Sequence, residues 1–163
     1  MRLSAQEEYG LRCLLQIARQ PGGYLTIPEI SAREALTEAY VGKLMRVLRK
    51  SSLVESIRGK KGGYRLSRPP EQIDVATALD ALGGRLFGRH FCSRFSGNGK
   101  VCRHDGDCSI RPFWLALDNV VQRALGRTTL QHLLGSEREM QVWTKTHLFG
   151  SDAPAPAVRA AAQ

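Results

Sequence analysis

The hydrophobic pattern of the first 50 residues predicts three helices in close succession. Apolar residues recur at intervals of three and four between positions 11 and 18, behind a capping box of Ser4 and Glu7. Thr26 and Glu29 repeat this capping pattern and open a short helix that ends at about residue 35. The third helix begins near Thr37, and so short a connection predicts that the second and third helices cross steeply.

The third helix and the segment after it combine an apolar side with a strongly basic one. The inward positions of the helix are Val41, Leu44, Met45 and Leu48. A strand over LVESIR, a GKKGG turn and a strand over YRLS then predict a β-hairpin. From position 42 to 68 there is one acid, Glu55, against nine basic residues: Lys43, Arg46, Arg49, Lys50, Arg58, Lys60, Lys61, Arg65 and Arg68.

The second half of the chain predicts further helices around an irregular, cysteine-rich loop. A fourth helix opens at Asp74 and ends at Gly83, and residues 85–108 then lack any amphipathic period. From Ile110 a long helix presents a broad apolar face, and a short helix capped by Thr128 or Thr129 follows. The members of that apolar face are Phe113, Trp114, Leu117, Val120, Val121, Ala124 and Leu125.

These elements predict a mainly α fold with a small β-hairpin wing, that is, a winged helix-turn-helix domain followed by a long dimerisation helix. The expected division is a DNA-binding domain over 1–84, a cysteine-rich cluster-binding loop over 85–108 and helices over 109–148. Residues 149–163 alternate small residues with proline and are expected to form a disordered tail. The apolar face of the long helix predicts a homodimer, and packing on its own domain is the alternative.

Composition narrows the classes of function. The net charge of +9 points to a polyanionic partner, and no apolar stretch is long enough to span a membrane. The N-terminus lacks the order of a secretory signal, so we expect a cytoplasmic protein without a membrane partner. No nucleophile and base pair, phosphate loop or metalloprotease helix is evident, which argues against an enzyme. A basic cluster alone is often only a solvated face, but a tight helical turn followed by a glycine-tipped basic hairpin favours DNA binding.

Three of the four cysteines lie close together in the irregular loop. Cys92, Cys102 and Cys108 are spaced too loosely for a zinc ribbon or finger, but soft thiolates select iron-sulfur clusters, zinc or cuprous copper. The alternative is surface thiols without metal, or a redox pair with one thiol left over. We expect Asp107 or Ser109 to cap the helix after Cys108, whereas Cys13 lies among leucines and is excluded from the site.

The opening MRLS with Tyr9, the segment from 40 to 54 and the phrase SIRGKKGGYRLSRP resemble the Rrf-type family of bacterial regulators, whose members include IscR, NsrR and RirA. The resemblance runs from Met1 to about Leu134. It implies a dimer on a palindromic double-stranded DNA operator, with the recognition helix in the major groove and the wing in the minor groove. It also implies that Cys92, Cys102 and Cys108 hold an iron-sulfur cluster, of two or four irons.

The resemblance also implies individual DNA-facing residues, and the basic face adds two more. The expected DNA-binding set is Thr37, Tyr40, Lys43, Arg46, Arg58, Lys60, Lys61 and Tyr64. Gly42 departs from the family, because IscR-like members place a longer, base-reading side chain there.

A fourth cluster ligand is not decided by the sequence. Glu8 aligns with the position from which NsrR-like members donate a carboxylate across the dimer, and His104 is the next candidate. His90, Asp105 and Asp107 stay open. The resulting hypothesis is a transcriptional regulator whose operator affinity is controlled by the cluster, for iron-sulfur, redox or nitrosative-stress genes. A zinc- or thiol-based redox regulator is the alternative, and an iron-sulfur enzyme is the least favoured.

Overall fold

The computed structural model describes residues 3–20, 23–59, 62–83, 92 and 95–148. Its elements in these ranges form a mainly helical fold with a small antiparallel sheet, which confirms the predicted fold class. The helices are α1 (Ala5–Ala18), α2 (Ile27–Glu34), α3 (Glu38–Lys50), α4 (Val75–Leu82), α5 (Ile110–Arg127), α6 (Leu130–Leu133) and α7 (Glu137–His147). The strands are β1 (Tyr24–Leu25), β2 (Val54–Ile57) and β3 (Gly63–Leu66), and a 3-10 turn covers Pro70–Gln72.

The predicted capping pairs fix where α1 and α2 begin. Ser4 accepts a hydrogen bond from the Glu7 N–H at 3.2 Å, and its own N–H donates to the Glu7 carboxylate at 2.6 Å. The Thr26 backbone N–H and hydroxyl both donate to Glu29 at 2.8 Å, which lowers the pKa of that carboxyl. Each reciprocal pair satisfies backbone donors that a helix start leaves without partners.

The connection between α2 and α3 is a three-residue turn, as the sequence predicts. Ala35 adopts the left-handed conformation at φ 53°, and the Leu36 N–H donates to the Ser31 carbonyl at 3.1 Å. Thr37 then caps α3 by accepting from the Tyr40 N–H at 3.3 Å. The turn therefore places the start of α3 at the surface and its apolar side against the core.

The predicted hairpin is present, and a third strand extends it. β2 and β3 pair antiparallel from Val54 opposite Leu66 to Ile57 opposite Gly63. β1 adds to the other edge of β3, where Leu25 faces Tyr64. A Cβ on Gly63 would lie 2.6 Å from the Leu25 carbonyl oxygen, so only glycine permits β1 to approach this closely.

One hydrophobic core lies beneath α3 and the sheet. α1 packs against α2, α3 and α4, and the inward stripe of α3 predicted from the sequence is fully buried. Burying a large aliphatic side chain contributes about 1.5–3 kcal/mol, so this core holds the basic surface above it in place. Its largest buried members are Leu14, Ile17, Leu25, Ile30, Val41, Leu44, Met45, Leu48, Leu53, Ile73, Leu82 and Leu130.

The broad apolar face predicted for the long helix divides into two stripes on α5. This helix of 18 residues is about 27 Å long at 1.5 Å per residue. One stripe, Trp114, Asp118, Val121 and Leu125, is buried or half-buried, and α5 packs on α4. The other stripe, Ile110, Phe113, Leu117 and Val120, is 38–61% exposed and repeats at intervals of three and four.

The chain after α5 returns to the winged domain. The Val75 N–H donates to the Thr128 carbonyl at 2.8 Å, and the Leu130 N–H donates to the Ile73 carbonyl at 2.9 Å. Leu130 is fully buried in the core. The end of α5 is thus fixed to the start of α4, whereas its beginning adjoins the cysteine loop.

Two predictions concern the C-terminal part of the chain, namely the cap of α6 and the tail. Thr129 is the residue at the start of α6, one of the two candidates, and its N–H donates to His132 Nδ1 at 3.1 Å. The tail predicted over 149–163 lies outside the described residues. Within the described ranges, none of the helices combines the length and hydropathy needed to cross a membrane.

Candidate nucleic-acid interface and cysteine loop

The outer side of α3 carries the basic residues that the sequence assigns to it. Lys43, Arg46, Arg49 and Lys50 are all exposed, on the side opposite the buried stripe. Their positive charges lie on a helix that the core holds rigidly from behind. An exposed helix with this charge fits the size and the potential of a DNA major groove.

The start of α3 is partly structural. Thr37 is exposed but its hydroxyl caps the helix, and Tyr40 is half-buried with its ring packed edge-on against Tyr9 at 6.2 Å between centroids. Gly42 lies between the two sides, and a Cβ there would meet only Ile27 Cδ1 at 3.7 Å. The structure therefore has room for a side chain at position 42, but the residue there is glycine.

The hairpin presents a second basic region beside α3. Arg58 is exposed at the end of β2, and Gly59 turns the chain with φ 119°. Tyr64 is half-buried and packs against the core, so its ring supports the sheet. Arg65 pairs with Glu55 across the strands at 2.5 Å. Lys60 and Lys61, predicted at the tip of the wing, lie outside the described residues.

The three loop cysteines are free thiols and partly exposed. The Phe95 N–H donates to the Cys92 carbonyl at 3.2 Å, and the Asp105 N–H donates to the Cys102 carbonyl at 3.1 Å. Cys108 lies two residues before α5. The expected side-chain cap on α5 is wrong: Ser109 has helical backbone angles, and no side chain bonds to the helix start. The reason is that the backbone is already helical at Ser109, so its hydroxyl does not face the free N–H groups.

Arg111, in the first turn of α5, is the residue that links the parts of the loop. Its guanidinium donates to the Asp105 carboxylate at 2.9 Å and to the Asp105 carbonyl at 3.0 Å. Hydrogen bonding to the Cys92 side chain, together with the nearby charge of Asp105, raises the pKa of Arg111. Its Nε is buried and has no hydrogen-bond partner within the described part of the chain.

Sequence reasoning missed Arg111, although it lies only three residues after Cys108. The signal available was an arginine in the first turn of a helix, where a cation is unfavourable beside the positive helix end. Such a placement needs anionic or polar partners, and here the partners come from the loop.

The types of residue in the loop fit a thiolate-bound metal centre. Three free cysteines share one loop, and the Arg111 Nε, which has no partner among the described residues, offers a donor to an acceptor there. In arrangement, however, no three His, Cys, Asp or Glu side chains among the described residues are grouped to hold a metal ion. A centre at these cysteines therefore requires the loop to close around it.

The candidates for a fourth ligand are spread over several places. Glu8 is half-buried and pairs with Arg12, one helical turn further along α1, at 2.7 Å. His104 and Asp107 are exposed, and Asp105 is held by Arg111. His90 lies outside the described residues. None of the described candidates is grouped with two cysteines.

Cys13 lies apart from the loop, as the sequence predicts. It is fully buried in the core, and burial raises the pKa of its thiol to about 12. A thiol with this environment is a small hydrophobic group rather than a ligand or a nucleophile.

Comparisons with known proteins agree with the fold. An Rrf2 family model, described as an iron-dependent transcriptional regulator, matches residues 3–136. The HTH-type transcriptional regulator IscR of Sodalis glossinidius is 30% identical over 143 residues, which are 87% of this chain and 84% of that protein. A putative HTH-type transcriptional regulator of Neisseria meningitidis is 30% identical over 82% of this chain and 88% of its own length.

Solved structures are also similar. CymR, the global cysteine regulator of B. subtilis, superposes with a TM-score of 0.65 at 27% identity, over 82% of this chain and 96% of that one. IscR of T. potens superposes with a TM-score of 0.64 at 28% identity, over 82% and 86% of the two chains. The resemblance seen in the sequence is thereby confirmed: this chain belongs to the Rrf2 family of transcriptional regulators, not to a family of enzymes.

Proposed function

We propose that this chain acts as a homodimer on a palindromic DNA operator, reading bases with α3 and contacting phosphates with α3 and the wing. The observation that carries the proposal is the exposed basic side of α3, held over the core by its buried stripe. Thr37, Lys43 and Arg46 are the proposed groove contacts. Arg58, Lys60 and Lys61 contact phosphates from the wing, and Tyr40 and Tyr64 support the two elements.

The proposed dimer is formed through the exposed stripe of α5. Ile110, Phe113, Leu117 and Val120 leave an apolar surface uncovered along two turns and more, and Phe95 and Val101 in the loop are also largely exposed. Contiguous apolar surface of this kind marks an interaction site on a small domain. A two-fold partner covers the same stripe on both copies and gives two recognition helices for two half-sites.

We further propose that an iron-sulfur cluster at Cys92, Cys102 and Cys108 controls the affinity for the operator. Three free thiols in one loop, beside the cationic Arg111, support this assignment, as does the similarity to IscR proteins. The cluster supplies redox- and ligand-sensitive chemistry at the thiolates. The genes proposed to be controlled are those of iron-sulfur assembly, redox balance or nitrosative stress.

A thiol- or zinc-based regulator without a cluster is the second candidate. It is favoured by the absence of a metal-holding group of three side chains in the described ranges and by the similarity to CymR, including the oxidized form from Staphylococcus aureus. In that case the three loop cysteines respond by oxidation or bind a single ion, and the DNA surface is unchanged.

The DNA surface is tested by selection and by salt dependence. Selection from a random duplex library is expected to return a palindrome with half-site centres about one helical turn, roughly 34–36 Å, apart. On the selected site, Arg58→Ala reduces the slope of log affinity against log salt by about 0.9 for a lost phosphate contact. Arg138→Ala, on the exposed side of α7, is the control and leaves the slope unchanged.

The cluster is tested by spectroscopy and by binding. Anaerobically reconstituted protein is expected to show visible charge-transfer absorption with stoichiometric iron and sulfide. Cys102→Ala abolishes both, whereas Cys13→Ala retains both because that thiol lies in the core. Affinity for the selected operator then differs between reconstituted and cluster-free protein at fixed salt. Zinc without sulfide supports the second candidate, and equal affinities refute control by the cluster.

A further inference from the structure

Arg111 contacts or adjoins each of the three cysteine segments. Its guanidinium binds both the carboxylate and the carbonyl of Asp105, and hydrogen bonding to the Cys92 side chain is the main cause that raises the pKa of Arg111. Asp105 in turn donates its N–H to the Cys102 carbonyl at 3.1 Å, and Cys108 lies three residues before Arg111 in the chain. One side chain thus connects segments that are separated by up to 16 residues of chain.

The geometry of these contacts needs arginine. A guanidinium offers five N–H donors in a planar fork, so it can bond a carboxylate, a carbonyl and a sulfur at once. The Nε of Arg111 is buried without a partner among the described residues, so the side chain is held in place even though one donor is not used. A surface arginine without a structural role would turn this donor to water.

The position of Arg111 joins the loop to the long helix. It lies in the first turn of α5, and α5 carries the exposed stripe from its first residue onwards. The other end of α5 is fixed to α4 through Thr128 and Leu130. A change in the contacts of Cys92 or Asp105 therefore acts on the loop-facing end of α5, whose far end is fixed to the winged domain.

We propose that Arg111 is a positioning residue that holds the three cysteine segments together before any centre is bound and transmits their state to α5. It is not a ligand, because a guanidinium has no free lone pair at neutral pH. The inference rests on the proposed role of the loop as a sensor. Its test uses the metal-free protein, so that it can be judged separately from cluster binding.

The test is cleavage of the loop by trypsin. Lys100 and Arg103 are exposed within the loop and give two cleavage sites, which mass spectrometry reports separately. In metal-free Arg111→Ala, cleavage at both sites is expected to be about tenfold faster than in the wild type, because the loop opens locally. Rates are divided by those of peptides that carry the same substitution, since neighbouring charges affect trypsin itself.

Three further variants make the test specific. Arg111→Lys keeps the positive charge but loses the planar fork of donors, so its cleavage rate falls between those of the wild type and Arg111→Ala. Asp105→Asn also accelerates cleavage, and the double variant with Arg111→Ala is no faster than Arg111→Ala alone, since both act on one contact. Arg123→Ala, whose guanidinium bonds the Asn119 carbonyl on its own helix, is the control and cleaves as the wild type does.

The outcomes separate this inference from the proposed function. If Arg111→Ala cleaves at the rate of Arg123→Ala, the positioning role is refuted, whatever metal the wild type binds. If Arg111→Ala instead unfolds the winged domain, the cleavage rates of Arg111→Lys and Asp105→Asn are compared with that of Arg123→Ala, and equal rates refute the positioning role. Iron and sulfide analysis of the reconstituted wild type tests only whether a cluster binds. A negative result there does not change the conclusion drawn from the cleavage rates.

Discussion

A single residue in a rare backbone conformation sets the turn of the helix-turn-helix. Ala35 has φ 53° and ψ 42°, where a side chain crowds the following carbonyl at a cost of about 1–2 kcal/mol. Ala35→Gly removes this strain but adds freedom to the unfolded chain. We therefore expect the free energy of unfolding to rise by about 0.5–1 kcal/mol, measured by denaturant titration.

Ala32→Gly is the matched control for that substitution. Ala32 is exposed within α2 and has ordinary helical angles, so glycine there lowers the free energy of unfolding by about 1 kcal/mol. Equal destabilisation by both substitutions would show that the turn is not strained in solution.

The buried thiol of Cys13 gives a second prediction for a single residue. Burial raises its pKa from 9.0 to about 12, so native protein at pH 8 exposes only the three loop thiols to a thiol reagent. The fourth reacts on unfolding. Because the folded pKa lies above the unfolded one, the stability that Cys13 contributes is complete below pH 9 and is lost as pH rises from 9 to 12. Four equally fast thiols in native protein would contradict this assignment.

For single residues, helical spacing predicts which side chains are exposed better than it predicts which residues a side chain contacts. Helical spacing places Lys43 and Arg46 outside because the buried residues of the helix lie one or two positions away from each of them, on the opposite side. Tyr40 and Tyr64 are amphipathic, and spacing alone does not reveal that both pack against the core. Arg111 escapes prediction because its partners, Cys92 and Asp105, come from a loop without any period.

Among the elements, the helices follow from local signals, and β1 does not. The capping residues and the apolar period of a helix all lie within that helix or next to it. The ends of α1, α2 and α3 are therefore predicted to within a few residues. β1 has two residues, too few to show alternation, and it forms only because β3 offers an open edge. Likewise, the apolar residues of α5 are evident, but which of its two stripes faces α4 depends on the tertiary fold.

The inward stripe of α5 contains a buried carboxylate. Asp118 is 6% exposed, and its Oδ1 has no hydrogen-bond partner in the described part of the chain. An unpartnered buried polar group costs about 1–3 kcal/mol, so Asp118→Leu is expected to raise the free energy of unfolding by that amount. Thermal and denaturant unfolding measure it.

Asn119→Leu provides the comparison on the same helix. Asn119 is exposed, and leucine there changes stability by less than about 0.5 kcal/mol. A fall in stability for Asp118→Leu would mean that the carboxylate has a partner in the folded protein in solution.

For the whole molecule, the two ends of α5 have different roles. Its C-terminal end is part of the winged domain through Thr128 and Leu130, so α5 cannot shift there without disturbing the core. Its N-terminal end is held by Arg111 and the cysteine loop. The proposed sensor therefore acts where α5 is least constrained, and the proposed dimer contact lies along the helix between the two ends.

This arrangement makes operator affinity depend on the exposed stripe of α5, far from any DNA contact. Phe113→Glu with Val120→Glu places two carboxylates on that stripe, so the proposed dimer dissociates while each domain stays folded. Sedimentation is expected to give a monomer, and affinity for the palindrome falls at least about a hundredfold because the two half-sites no longer bind as one unit. Gln131→Glu, exposed on α6, leaves both unchanged. A double variant that stays dimeric would place the interface elsewhere, whereas a monomer that keeps full affinity would mean that one recognition helix and its wing suffice for the operator.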